Sequence, residues 1–95
     1  MDKLLIEWGK MERTEAIESA VKEKASKILR FYPDATKLIV GFQITNPKVS
    51  AGVSSQKVSM ELRLPNKQDI RTSKEGSDLY ALISDSEKVL LNQKN

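Results

Sequence analysis

Apolar and polar residues alternate along this chain with two different periods, and each change of period marks an element. From Lys57 to Leu64, KVSMELRL, the alternation is strict: Val58, Met60, Leu62 and Leu64 fall on one side, Ser59, Glu61 and Arg63 on the other. A period of two predicts a strand with one buried and one wet face. Further upstream the period lengthens. Ile17, Ala20, Val21, Ala25, Ile28, Leu29 and Tyr32 recur at helical spacing and form one apolar stripe. Thr14 reads as the N-cap of that helix, with Glu15 and Glu18 in its first turns, where negative charge favours the N-terminus. Pro33-Asp34 stops it.

The other segments follow. Lys3 to Trp8, KLLIEW, reads as a first strand closed by Gly9-Lys10. Lys37 to Thr45, KLIVGFQIT, is too apolar for a strand wetted on both faces and is expected at the centre of a sheet. Asn46 to Gln56 carries turn residues and little bulk, which predicts a mobile loop. Pro65 to Asp69 is a turn and Ile70 to Ser73 a short fourth strand, so strands three and four form an antiparallel hairpin. A second helix begins in SKEGSDLYALI, capped by Ser77 or Asp78. Leu79, Leu82, Ile83, Val89 and Leu90 lie on its buried side, with Ser86 a weak point in that stripe.

The order is β-α-β-β-β-α. It predicts an α+β fold: a four-stranded sheet with both helices packed on one face and the other face in solvent. At 95 residues the chain supports one core, and we expect a single domain over residues 1–95.

Composition narrows the chemistry. With neither cysteine nor histidine, the chain lacks thiolate chemistry, the commonest general base and the commonest metal ligands. Four glycines form no phosphate loop. We therefore expect no catalytic residue, no metal and no cofactor. An acylphosphatase-like enzyme would need a cradle of backbone donors beside Arg13, and GKMER supplies none. No apolar run is long enough for a membrane, and MDKLLIE lacks a secretory leader, which points to the cytoplasm. The net charge of +3 is weak evidence for an anionic partner, so the placement of the cations has to decide.

Helix 1 carries Lys22, Lys24, Lys27 and Arg30. At about 100° per residue Lys24 falls inside the apolar stripe, nearly in line with Ile17 and Ile28. Either its stem snorkels out along the helix edge, or the gap between the helices opens onto a polyanion and Lys24 lines it. Lys27 lies close enough to join it against phosphates. Lys22 and Arg30 point further round, towards a solvated face with Glu23. Lys88 on helix 2 could contribute, although Asp85 and Glu87 dilute its field. Aromatics are scarce, so contacts to phosphate and RNA shape are expected rather than a stacking platform. Trp8 and Phe31 are expected in the core or at its edge, and Tyr80 beside the apolar centre of helix 2 with its hydroxyl outward.

EGSDLYALI resembles the E-x-x-D-(M/L)-Y-x-A-I-D signature of the ribosome hibernation-promoting factors and ribosome-associated translation inhibitors, with Glu75, Asp78, Leu79, Tyr80 and Ile83 matching. GKMERTEAI is similar to that family's passage from strand 1 into helix 1 through Met11, Glu12, Thr14, Ala16 and Ile17, and KEKASKIL to its K-(L/F)-x-(K/R)-L segment. The sequence departs from the pattern at Arg13, Leu82 and Ser84, and its second helix ends with only Lys88 and Lys94. The resemblance implies a fold like a double-stranded-RNA-binding domain and a non-enzymatic role. The expected partners are the small ribosomal subunit and its rRNA, with mRNA and tRNA sites covered under stress, and no small-molecule substrate. It implies the short form, without a C-terminal dimerisation domain. The candidate RNA-binding residues are Lys22, Lys24, Lys27, Arg30, Lys74 and Lys88, beside the signature residues Glu75, Asp78 and Tyr80. The alternative is a divergent paralogue acting as a protein-interaction module or weak homo-oligomer, with Leu82, Val89 and Leu91 as exposed apolar surface.

Overall fold

The computed structural model describes residues 2–46, 55–66 and 68–92. Its elements are β1 (Leu4–Glu7), α1 (Glu15–Phe31), β2 (Lys37–Asn46), β3 (Ser55–Arg63), β4 (Ile70–Gly76) and α2 (Leu79–Asn92). The predicted order and fold class are found. The sheet runs β1-β2-β3-β4, with β1 parallel to β2 and the other pairs antiparallel. β2 is interior, as its apolar composition requires. A parallel pair needs a crossover, and α1 is that crossover.

Register sorts the side chains. Leu4, Leu38, Leu62 and Ile70 stand in one row across the sheet, and Ile6, Val40, Met60 and Thr72 in the next. These rows face the helices, and Leu38, Val40, Met60 and Leu62 are fully buried beneath Val21, Ala25 and Ile28 of α1 and Ile83 and Leu90 of α2. The opposite face carries Ser59, Glu61 and Arg63 outward, as the alternation predicts. Burying each large aliphatic side chain contributes about 1.5–3 kcal/mol, so this single layer is the main source of stability.

Local chemistry sets the ends of the elements. The Thr14 hydroxyl accepts the Ile17 amide at 3.1 Å, capping α1. Asp78, rather than Ser77, caps α2, with its Oδ1 accepting the Ala81 amide at 3.2 Å. Gly9 turns the chain out of β1 at φ +61, and a Cβ there would meet the Phe42 carbonyl at 2.9 Å, so only glycine fits.

The structure also departs from the sequence reading. Of the predicted loop over Asn46 to Gln56, residues 47–54 lie outside the described residues, while Ser55 and Gln56 belong to β3. β4 continues past Ser73 to Gly76, because Lys74 and Glu75 find backbone partners opposite Val58 and Lys57. Leu82 is buried, close against Gly76, which removes it from the exposed apolar surface invoked for a protein-interaction module. Val89 is only half-buried, and Glu87, expected among the surface charges, is 6% exposed instead. The buried line of α2 runs through Ile83, Glu87 and Leu90, at helical spacing, and takes the carboxylate in with it.

Candidate nucleic-acid interface

The two helices are tied at their last turns. Tyr32, directly after α1, is buried, and its hydroxyl donates to the Leu90 carbonyl of α2. Burial raises the Tyr32 phenol above its ordinary value of 10.0. The bond sets the two C-terminal ends side by side. Between them lies a groove of about 310 Å³ lined by Lys27, Arg30, Phe31 and Leu91. These four described lining residues are apolar or cationic, and cations suit the negative end of a helix dipole.

Lys24 stands one turn before Lys27 on this edge of α1. Its side chain keeps 22% of its surface, so the stem is packed while the ammonium reaches solvent. Its one ion pair among the described residues is a long contact of 3.9 Å to the neighbouring Glu23. Lys27 is exposed and pairs with no described carboxylate.

The opposite edge of α1 differs. Lys22 is held by Glu18 at 3.1 Å, and Arg13 approaches the same carboxylate at 3.5 Å while its guanidinium sits 5.9 Å from the centre of the Trp8 ring. Hydrogen bonding from Lys22, then from Arg13, holds the Glu18 carboxyl below its ordinary value. These groups pack over Leu4, Ile6 and Trp8 on the β1 side. The open sheet face repeats the motif: Glu61 accepts from Arg63 at 3.0 Å and from Arg71 at 3.5 Å, and its pKa is lowered chiefly by the Arg63 hydrogen bond.

The structure therefore brings together Lys24, Lys27 and Arg30, and turns Lys22 away. Lys88 is exposed on α2. Lys74 lies on β4, at the far edge of the sheet from β1, on the helix side opposite Val58 and half-buried. The signature residues do not converge on one point. Glu75 is on the open sheet face, accepting the Thr45 hydroxyl at 2.7 Å; Asp78 is the cap; Tyr80 is 50% exposed on the first turn of α2.

Sequence reasoning misplaced Phe31, which is 42% exposed at the groove. A signal was present. Consecutive helical residues point about 100° apart, so Phe31 and Tyr32 could not both enter one narrow stripe. Tyr32 takes the core position. Trp8 is half-buried at the core edge, as expected, with its ring 5.3 Å from Phe42. Among the described residues, no cluster of acidic side chains could hold a metal, and no helix is long and apolar enough to cross a membrane.

A mixed four-stranded sheet covered on one face by two helices, with cations along the inter-helix edge, makes the molecule an α+β domain. The model of the sigma 54 modulation protein / S30EA ribosomal protein family matches residues 4–93, and the chain belongs to that family. Among solved structures it is similar to a ribosomal subunit interface protein from Coxiella burnetii, with a TM-score of 0.78 at 16% identity, covering 95% of this chain and 90% of that one. It is also similar to the N-terminal domain of Protein Y from Thermus thermophilus, with a TM-score of 0.72 at 25% identity and the same coverage. No curated protein matches the chain.

Proposed function

We propose that this protein is a non-enzymatic, cytoplasmic ribosome-associated factor that docks on the small subunit. Its inter-helix edge lies against rRNA, where it covers mRNA and tRNA sites and silences translation under stress. The observation that carries this reading is the row Lys24, Lys27 and Arg30 in a member of the S30EA family, with Lys27 unpaired by any described carboxylate. Cations already neutralised within the molecule release few counterions on meeting phosphate, whereas unpaired ones do so fully. Lys88, exposed on α2, is assigned to the same contact. Lys22, held by Glu18, and Lys74, across the sheet, are peripheral contributors at most.

The test is co-sedimentation with purified ribosomes and isolated small subunits over a salt series. The wild type is expected to bind at low salt, with affinity falling steeply as salt rises. Reversal of Lys24 and Lys27 to glutamate should weaken binding and flatten the salt dependence. Binding unchanged in the doubly reversed protein would remove the groove edge as the contact.

A further inference from the structure

We propose that Phe31 is a base-stacking residue: the groove between the last turns of α1 and α2 receives one unpaired RNA base against the phenyl ring, with the flanking phosphates held by Lys27 and Arg30. This rests on the ribosome-bound reading above and assigns its groove a ligand class.

Exposure comes first. A phenylalanine on an amphipathic helix normally turns into the core, yet Phe31 keeps 42% of its surface while its neighbour Tyr32 is buried. The ring is also positioned. It meets Tyr32 in an edge-on contact, with centroids 5.3 Å apart and planes at 78°, and Tyr32 is itself anchored to the Leu90 carbonyl of α2. A ring held by a fixed neighbour loses little freedom on binding, which favours stacking.

The surroundings select the ligand. Lys27 and Arg30 lie four and one residues before Phe31 and line the same groove of about 310 Å³, with Leu91 as the other described lining residue. A flat apolar face flanked by two cations, with no described acidic residue in the lining, is complementary to a nucleotide: the base covers the ring and the phosphates meet the charges. An apolar protein segment would leave both cations without counter-charge. A duplex offers only phosphates to this surface, because its bases are already stacked, so the ligand is an unpaired nucleotide.

Three substitutions separate stacking from plain apolar contact. Phe31→Leu keeps bulk without a π-face, Phe31→Ala removes both, and Phe31→Tyr keeps the ring. Loss of one stacked base should weaken binding to purified small subunits roughly five- to a hundredfold. Phe31→Leu and Phe31→Ala are expected to suffer similarly, with Phe31→Tyr near wild type. As a second readout, F31W in a W8F background should show its emission quenched when small subunits are added. Phe31→Leu binding like wild type, or unquenched emission from a protein that co-sediments, overturns stacking while leaving ribosome association intact. A wild-type chain that never co-sediments removes the parent reading and this one with it.

Discussion

The two long edges of α1 carry similar cations and use them differently. On the β1 side, Lys22 and Arg13 share Glu18, and all three are committed within the molecule. On the α2 side, Lys24 has only a 3.9 Å contact to Glu23, and Lys27 has no described carboxylate partner. The open sheet face sides with the β1 edge, since Arg63 and Arg71 converge on Glu61. A count of basic residues treats all of these as equal. Pairing separates them, because a cation already sharing a carboxylate gains less from a phosphate than one facing water.

The sharpest way to break this contrast is to reverse charge on each edge in turn. Lys24→Glu with Lys27→Glu should cost roughly tenfold or more in ribosome affinity and make the salt slope shallower by about two phosphate contacts. Lys22→Glu, or Arg63→Glu with Arg71→Glu, should change affinity far less in the same sedimentation assay. Equal losses on all surfaces would show that general charge, not placement, drives binding.

A second contrast lies among the acids. Glu18 and Glu61 have cationic partners, whereas Glu87 is buried and its Oε2 lacks a hydrogen-bond partner among the described residues. An unsatisfied buried polar group costs about 1–3 kcal/mol, so Glu87→Leu, similar in volume, should stabilise the fold by that order in urea unfolding. Destabilisation instead would mean that the carboxylate has a partner worth keeping.

Tyr32→Phe sharpens the account of the groove's anchor. It leaves the Leu90 carbonyl without its donor and should lower stability by about 1 kcal/mol. The folded-state pKa of Tyr32 is raised, so its contribution is full below the ordinary value of 10.0 and is lost as pH climbs through the folded value. The phenylalanine variant should therefore lose less stability than the wild type as pH rises from neutral through the raised folded value, which urea unfolding across an alkaline pH series would check.

The smallest effect is expected at Glu18. Its folded pKa is depressed, so the stability it contributes is present above the ordinary value of 4.5 and disappears as pH falls through the lower folded value. Glu18→Gln should be slightly less stable than wild type at neutral pH, and the two should converge in acid. Thermal midpoints across a pH series would check this.

Much of the fold was legible because it depends on local period and capping. The alternation of Val58, Met60 and Leu62 fixed the inner face of β3, and the stripe from Ile17 to Tyr32 fixed the face of α1. Thr14 announced the start of α1, while Ser77-Asp78 announced that of α2 and the Ala81 amide selects Asp78. The last residues of β4 were not legible: nothing in SKEG favours a strand, and it extends only because β3 stands beside it. Glu87 misled for a similar reason, since a glutamate reads as surface until neighbouring helix positions carry it inward. At the site, helical spacing was enough to set Lys24 beside Lys27. The i,i+4 spacing of Glu18 and Lys22 also carried their pairing, a signal the reading passed over, whereas the approach of Arg13 to the same carboxylate from outside the helix was not visible in spacing.

The sequence by itself determined the element order, the buried faces and the edge of α1 on which Lys24 and Lys27 stand, since those follow from spacing of about 3.6 and two residues. Only the tertiary structure decided that Arg71 joins Arg63 on Glu61, that the Tyr32 hydroxyl ties α1 to the Leu90 carbonyl of α2, and that β4 runs on to Gly76. Those outcomes depend on distances between elements remote in the chain, where packing and electrostatics act through space and residue spacing carries no information.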